Sequence, residues 1–135
     1  YDYVYKLKKE FPDLEIIING GIKSLDDSSK HLSKVDGVMI GRAAYDNPFI
    51  LKDIEPRFYK TESLIESKKE ILNLYIEYVE KQIDNGHNLS KMMKHLFGLS
   101  KGDKNAKSFR IKIIEIIKNN NLKKHKKELE ELLVY

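Results

Sequence analysis

The strongest constraint on what this chain can fold into is a pair of short apolar runs that each end abruptly in glycine. Ile16-Ile17-Ile18 runs into Asn19-Gly20-Gly21, and Val38-Met39-Ile40 runs into Gly41-Arg42. Such continuous runs, without polar alternation, suit strands buried on both faces, as parallel strands are. Between them, Ser24 and Asp27 form a weak N-terminal capping pair, and Leu25 and Leu32 give a short helix an inner side. Strand, helix, strand is a βαβ unit, and its right-handed crossover sets the two strands side by side. A helical stripe of Val4, Leu7 and Phe11 precedes the unit and is interrupted by Pro12-Asp13. Asn47-Pro48 marks a further helix entry, with asparagine able to cap and proline at the first helical position. Residues 55–62 read as a connector.

Both glycine-containing loops fall at the C-terminal ends of their strands, where parallel sheets place function. In a (β/α)₈ barrel the last two such loops commonly build a phosphate site: glycines let backbone N–H groups approach the anion, and a short helix N-terminus adds positive potential. Gly20, Gly21 and Gly41 meet the backbone requirement. Arg42 can add charge-assisted hydrogen bonds to phosphate oxygens, and Asn19 either contacts the ligand through its amide or caps the turn. Taken singly, Gly-Gly after a strand is an ordinary tight turn. The pairing of two such loops, one helix apart, is what points to a phosphate, without identifying the ligand.

From residue 63 the pattern becomes purely helical. Ser63 and Glu66 read as a capping box ahead of the stripe Ile65, Leu72, Ile76, Val79 and Ile83, which Gly86 stops. A second helix over about 89–99 carries Leu89, Met92, Met93, Leu96 and Phe97. Gly102-Asp103 breaks it and can cap a third, with Ala106, Phe109, Ile113, Ile116 and Ile117 inside. Asn119 to Asn121 separate a last helix with Leu129, Leu132 and Leu133 as its apolar positions. The expected architecture is α/β plus all-α, with a small helical bundle after the βα segment, the boundary falling between residues 1–60 and 61–135.

Net charge is only +4, yet the helical half is strongly basic: residues 86–127 hold twelve Lys/Arg against Asp103 and Glu115. That half should attract polyanions. Lys91, Lys94, His95, Lys101, Lys104, Lys107 and Arg110 cluster there, and contacts from such side chains position phosphates without reading sequence. His95 alone is no ligand set, and nothing assembles a metal site. Tyr1, Tyr3, Tyr5, Tyr75 and Tyr78 lie at helical spacing among apolar residues and are assigned to packing rather than base stacking. The later cluster Lys123, Lys124, Lys126 and Lys127 reads either as a polyanion surface or as a solubilising tail. The absence of cysteine removes disulfides, thiolate sites and cysteine nucleophiles, which suits a reducing compartment. With no apolar run long enough to span a bilayer and no leader, an aqueous site is expected, the cytoplasm or an organelle, without membrane attachment. The opening at Tyr1 rather than methionine reads as a truncated chain.

The runs Ile18-Asn19-Gly20-Gly21-Ile22 and Val35 to Tyr45, followed by Asn47-Pro48, closely resemble the tRNA-dihydrouridine synthases, their A branch in particular. Met93-Lys94-His95-Leu96-Phe97-Gly98-Leu99, Gly102 and Ala106 to Arg110 resemble that branch's helical domain. The likeness runs to about residue 117, and residues 118–135 form a Lys/Asn-rich extension matching no motif. The resemblance implies the last βα units of a TIM barrel followed by a tRNA-binding helical domain. It also implies an FMN-dependent oxidoreductase using NADPH to reduce uridine in the D-arm of tRNA, monomeric at full length. It makes Asn19, Gly20, Gly21, Gly41 and Arg42 the FMN-phosphate contacts, and Lys107 and Arg110, with Lys91, Lys94 and Lys104 around them, the tRNA contacts. The family's catalytic cysteine would lie upstream, so this segment alone should not catalyse. The competing readings are a different FMN barrel oxidoreductase, resembling the dihydroorotate dehydrogenases, and a helical RNA-binding module without activity of its own.

Overall fold

The computed structural model describes residues 1–133, which form two compact units: Tyr1–Tyr45, and the chain from Asp46 onward. The break thus precedes the boundary expected at residue 60. Residues 46–60 carry a 3₁₀ turn, Pro48–Asp53, and one π turn, Glu55–Tyr59. They go with the helices because side chains such as Phe49, whose ring lies 5.6 Å from Lys68 Nζ, pack there. Asn47 stands at the cap position of the 3₁₀ turn but makes no capping bond, and its buried Oδ1 finds no partner among the described residues.

In the first unit helix α1 (Asp2–Glu10) leads to strand β1 (Ile17–Ile18), helix α2 (Leu25–Leu32), strand β2 (Gly37–Val38) and the short helix α3 (Arg42–Asp46). The strands pair in parallel, Ile17 with Gly37 and Ile18 with Val38. A side chain at Gly37 would meet Ile17 Cγ1 at 3.0 Å, so glycine is what lets the pair close. Ile18, Ile22 and Val35 form the core, with Val4, Tyr5, Ile16, Val38 and Ile40 packed against it. Burial on both faces of the strands is not observed: Ile18 is 1% exposed, Ile17 59% and Met39 45%. A two-stranded sheet has a cover on one side only. Ser24 caps α2 by accepting from the Asp27 N–H at 3.0 Å, as expected, but Leu32 is exposed and the inner face is Leu25, Ser28 and His31. Lys8 fastens the unit, donating to the carbonyls of Pro12 and Leu14 and reaching Asp36 at 2.8 Å. Asp36 also accepts the Ile16 N–H, and these bonds, Lys8 first, hold its carboxyl below the usual range.

The second unit contains α4 (Lys68–Asp84), α5 (Leu89–Met93), a 3₁₀ segment (Lys94–Gly98), α6 (Ala106–Asn119) and α7 (Leu122–Leu132). The capping box sits one turn later than Ser63 and Glu66. Ser67 accepts the Glu70 N–H at 3.2 Å and Glu70 accepts the Glu66 N–H at 2.9 Å, whereas Ser63 bonds only locally to Ile65. Leu72, Ile76 and Val79 are fully buried, Ile83 is 37% exposed, Ile65 lies ahead of the helix rather than on its stripe, and Gly86 follows its end. The expected second helix is α-helical only to Met93. Met93, Leu96 and Leu99 are all buried at a spacing of three, which the three-residue turn of a 3₁₀ helix keeps on one side. Phe109, Ile113 and Ile116 of α6 and Leu122, Leu129 and Leu133 complete a single core. The lysine-rich stretch is therefore no loose tail: α7 packs on α6 and α4 through its leucines and His125. Its first half carries Lys123, Lys124, Lys126 and Lys127 and its second half Glu128, Glu130 and Glu131, with no acid in the first turn and no base in the last.

Lys112 ties α6 to α7, its Nζ lying 2.8 Å from Glu115 and 2.6 Å from Glu128. Both carboxyls are held below their ordinary value by Lys112, and the ammonium is held above its own, by Glu115 first. A depressed carboxylate contributes stability above its unfolded pKa of about 4.3 and loses it as pH falls through the lower folded value. The gap in melting temperature between wild type and Lys112→Met should accordingly be full at pH 7 and close as pH drops below about 4. A gap that stayed constant into acid would mean that these carboxylates carry none of it.

Candidate functional site

Asn19, Gly20 and Gly21 follow β1 directly, and Gly41 and Arg42 follow β2 after Met39, whose N–H bonds the Ile18 carbonyl at 2.9 Å. Because the strands are parallel and adjacent, the two loops leave the sheet at the same end. Gly20 and Gly21 hold φ of 114° and 68°, in the left-handed region that favours glycine. A Cβ at Gly20 would meet nothing within 4 Å. The backbone N–H groups of Gly20, Gly21, Gly41 and Arg42 donate to no backbone carbonyl among the described residues. Asn19 and Arg42 are exposed. Two loops with unspent donors and an arginine at one sheet end fit a phosphate monoester, and the open space at Gly20 leaves it room. An open groove of about 370 Å³ in the second unit, lined by Pro48, Leu51, Ile54, Leu64, Ile65 and Ile71 among others, contains none of the expected site residues.

One anchor of the glycine loop has no local signature in the sequence. The Tyr1 hydroxyl donates to the Gly20 carbonyl. The Tyr1 ring meets buried His31 edge-on, with centroids 4.4 Å apart, and His31 Nδ1 lies 2.6 Å from the Tyr5 hydroxyl. Tyr75 also packs, donating to the Met92 carbonyl at 2.9 Å, whereas Tyr1, Tyr3 and Tyr78 are exposed, against expectation, Tyr1 meeting the unit through its contacts with Gly20 and His31.

In the second unit Lys91, Lys94, Lys104, Lys107 and Arg110 are all exposed, and Phe109 and Ile113 take the opposite, buried side of α6. Arg110 Nε donates back to the Ala106 carbonyl at 3.1 Å. The segments bearing Lys91 and Lys94 pack against α6, and Lys104 precedes it. Both acids of residues 86–127 are spent internally. Asp103 does not cap α6 but forms a buried pair with Lys68 at 2.5 Å, and Glu115 pairs with Lys112. No local pattern signals the Lys68 pair, whose partners lie 35 residues apart. Among the described residues no group of three His, Asp or Glu side chains could hold a metal, and no helix is long and apolar enough to cross a membrane.

The first unit is thus a βα corner able to take an anion at its strand ends. The family model for dihydrouridine synthases (Dus) matches residues 1–133. Proteins named tRNA-dihydrouridine(20/20a) synthase are similar as well: that of Synechocystis sp. is 42% identical over 110 residues and that of Pseudomonas putida 39% over 110, each alignment covering 82% of this chain and 33% of the relative. That of Vibrio cholerae is 35% identical over 115 residues, covering 85% and 35%. The chain belongs to the dihydrouridine synthase family. The family is one of TIM barrels, and this chain, mostly helical with two short strands among the described residues, spans about a third of the length of the curated relatives it matches.

Proposed function

We propose that this segment supplies the FMN-phosphate corner and the tRNA-binding helices of a tRNA-dihydrouridine synthase, which reduces D-arm uridine at the expense of NADPH. In this reading the first unit is the last βα part of the barrel and the helices form a bundle domain. The observation that carries it is the pair of loops at one end of the parallel strands with unspent N–H donors, in a chain of this family. Gly20, Gly21, Gly41 and Arg42 bind the phosphate, the first three by backbone N–H groups and Arg42 by its guanidinium, and Asn19 holds the turn or the ligand. When bound, FMN supplies the hydride chemistry. Lys107 and Arg110, flanked by Lys91, Lys94 and Lys104, bind tRNA phosphates. Internal use of Asp103 and Glu115 supports this role, because it leaves those cations unopposed by the two acids of their own stretch.

The test is dihydrouridine formation in tRNA by a full-length, FMN-loaded enzyme carrying this segment, across a salt series. Lys107→Ala/Arg110→Ala should raise KM for tRNA by about tenfold or more and reduce the log–log salt slope by about 1–2, with kcat little changed. Unchanged KM and slope would remove these residues from the tRNA interface. Tight tRNA binding without product would leave a helical RNA-binding module as the function.

A further inference from the structure

We propose that Tyr1 and His31 are positioning residues for the phosphate loop, a role that rests on the reading of Gly20 and Gly21 as phosphate donors. A loop of two glycines with positive φ is the least self-determined backbone in the unit, since glycine loses more conformational freedom than any other residue when it is fixed. No side chain of its own can hold it. Tyr1, at the start of α1, holds it from outside: its hydroxyl takes the Gly20 carbonyl and lies 3.4 Å from where a Cβ of Gly21 would stand. Engaging that carbonyl fixes the Gly20–Gly21 peptide plane, and with it the direction of the Gly21 N–H on the other side of the same peptide bond.

The tyrosine is held in turn. His31 is 7% exposed on the inner face of α2 and meets the Tyr1 ring edge-on. The Tyr5 hydroxyl at 2.6 Å fixes the imidazole, and Lys34 Nζ sits 4.5 Å from the centre of the Tyr5 ring. The helices before and after β1 are thereby cross-tied at the end of the strand where the loop leaves it. A histidine buried on the inner face of a short helix, beside Leu25 and Ser28, needs such a reason, because a buried imidazole must find partners for its polar atoms. Neither residue touches the ligand in this arrangement. Both act on the orientation of one N–H.

The prediction is selective for the phosphate. FMN and riboflavin share the isoalloxazine and ribityl chain and differ only in the group this loop binds. In the full-length apoenzyme, Tyr1→Phe, which keeps the ring and removes the hydroxyl, should weaken FMN about three- to tenfold, the worth of one hydrogen bond, and leave riboflavin unchanged. The ³¹P resonance of bound FMN should shift in the variant. Equal loss for both flavins would overturn the proposal, showing that Tyr1 supports the barrel in general. Unchanged FMN binding and an unmoved ³¹P resonance would also overturn it. Arg42→Ala separates the two levels: a phosphate-selective loss there with none in Tyr1→Phe removes only the positioning role, whereas no selective loss in either removes the phosphate reading itself.

Discussion

Lys68→Ala is expected to destabilise the helical unit by about 3–5 kcal/mol, the cost of leaving a buried charge without its partner. The side chains of Lys68 and Asp103 are 10% and 9% exposed and 2.5 Å apart. Lys68 also donates to the Lys101 carbonyl at 3.2 Å, while Asp103 Oδ2 is buried without a partner among the described residues. Removing the ammonium therefore strands a carboxylate whose second oxygen is already unserved. Urea unfolding of the full-length protein, followed by helical circular dichroism, reads the effect. A loss under about 1 kcal/mol would mean that the pair is solvated like a surface ion pair. The double variant Lys68→Met/Asp103→Leu should recover most of the loss, since replacing both partners by apolar groups removes the stranded charge.

Phe109→Ala should cost a similar amount, about 3–5 kcal/mol, by a different route. Phe109 is fully buried and belongs to the core cluster to which α4, α5, α6 and α7 all contribute, so its removal opens a cavity in that shared core. Ile111→Ala, two residues along the same helix but at a position 54% exposed, serves as the control and should change stability by no more than about 0.5 kcal/mol. Comparable losses at both positions would contradict the burial that places Phe109 at the centre.

What was legible in the sequence follows from how far each signal reaches along the chain. The parallel pair, its short capped helix and the two glycine loops are local patterns, and they stand where the residues put them. So do Gly86, the Leu72, Ile76 and Val79 part of the α4 stripe, and Phe109, Ile113 and Ile116 of α6, whereas Ile65 falls ahead of α4 and Ile83 is exposed. The start of α4 differs from the sequence pattern because Ser63-Leu64-Ile65-Glu66 and Ser67-Lys68-Lys69-Glu70 offer the same capping chemistry one turn apart. The second wins because it brings Lys68 to Asp103, a contact across 35 residues that no window reveals. His31 and Tyr1 escaped for the same reason: each has a bland local setting and acquires a role only when α1 and α2 meet at the end of β1. The exposure of Ile17 and Met39 departs from the sequence pattern in the opposite sense. A continuous apolar run predicts burial on both faces, but a pair of strands with helices on one side leaves Ile17 and Met39 exposed.

The charge order of α7 has a consequence for how the protein responds to its medium. Four lysines crowd the end of the helix where backbone N–H groups already present positive potential, and acids gather at the end where the carbonyls present negative potential. Both halves oppose the macrodipole, a conflict offset by helix-forming Leu, Lys and Glu, the Asn121 cap, the burial of Leu122, Leu129 and Leu133 and the link to Lys112. Dissolved ions screen this frustration more than they screen the packing beneath it. Local opening of α7 should therefore respond to ionic strength, and the electrolyte enters the energetics of the helical unit in part through it.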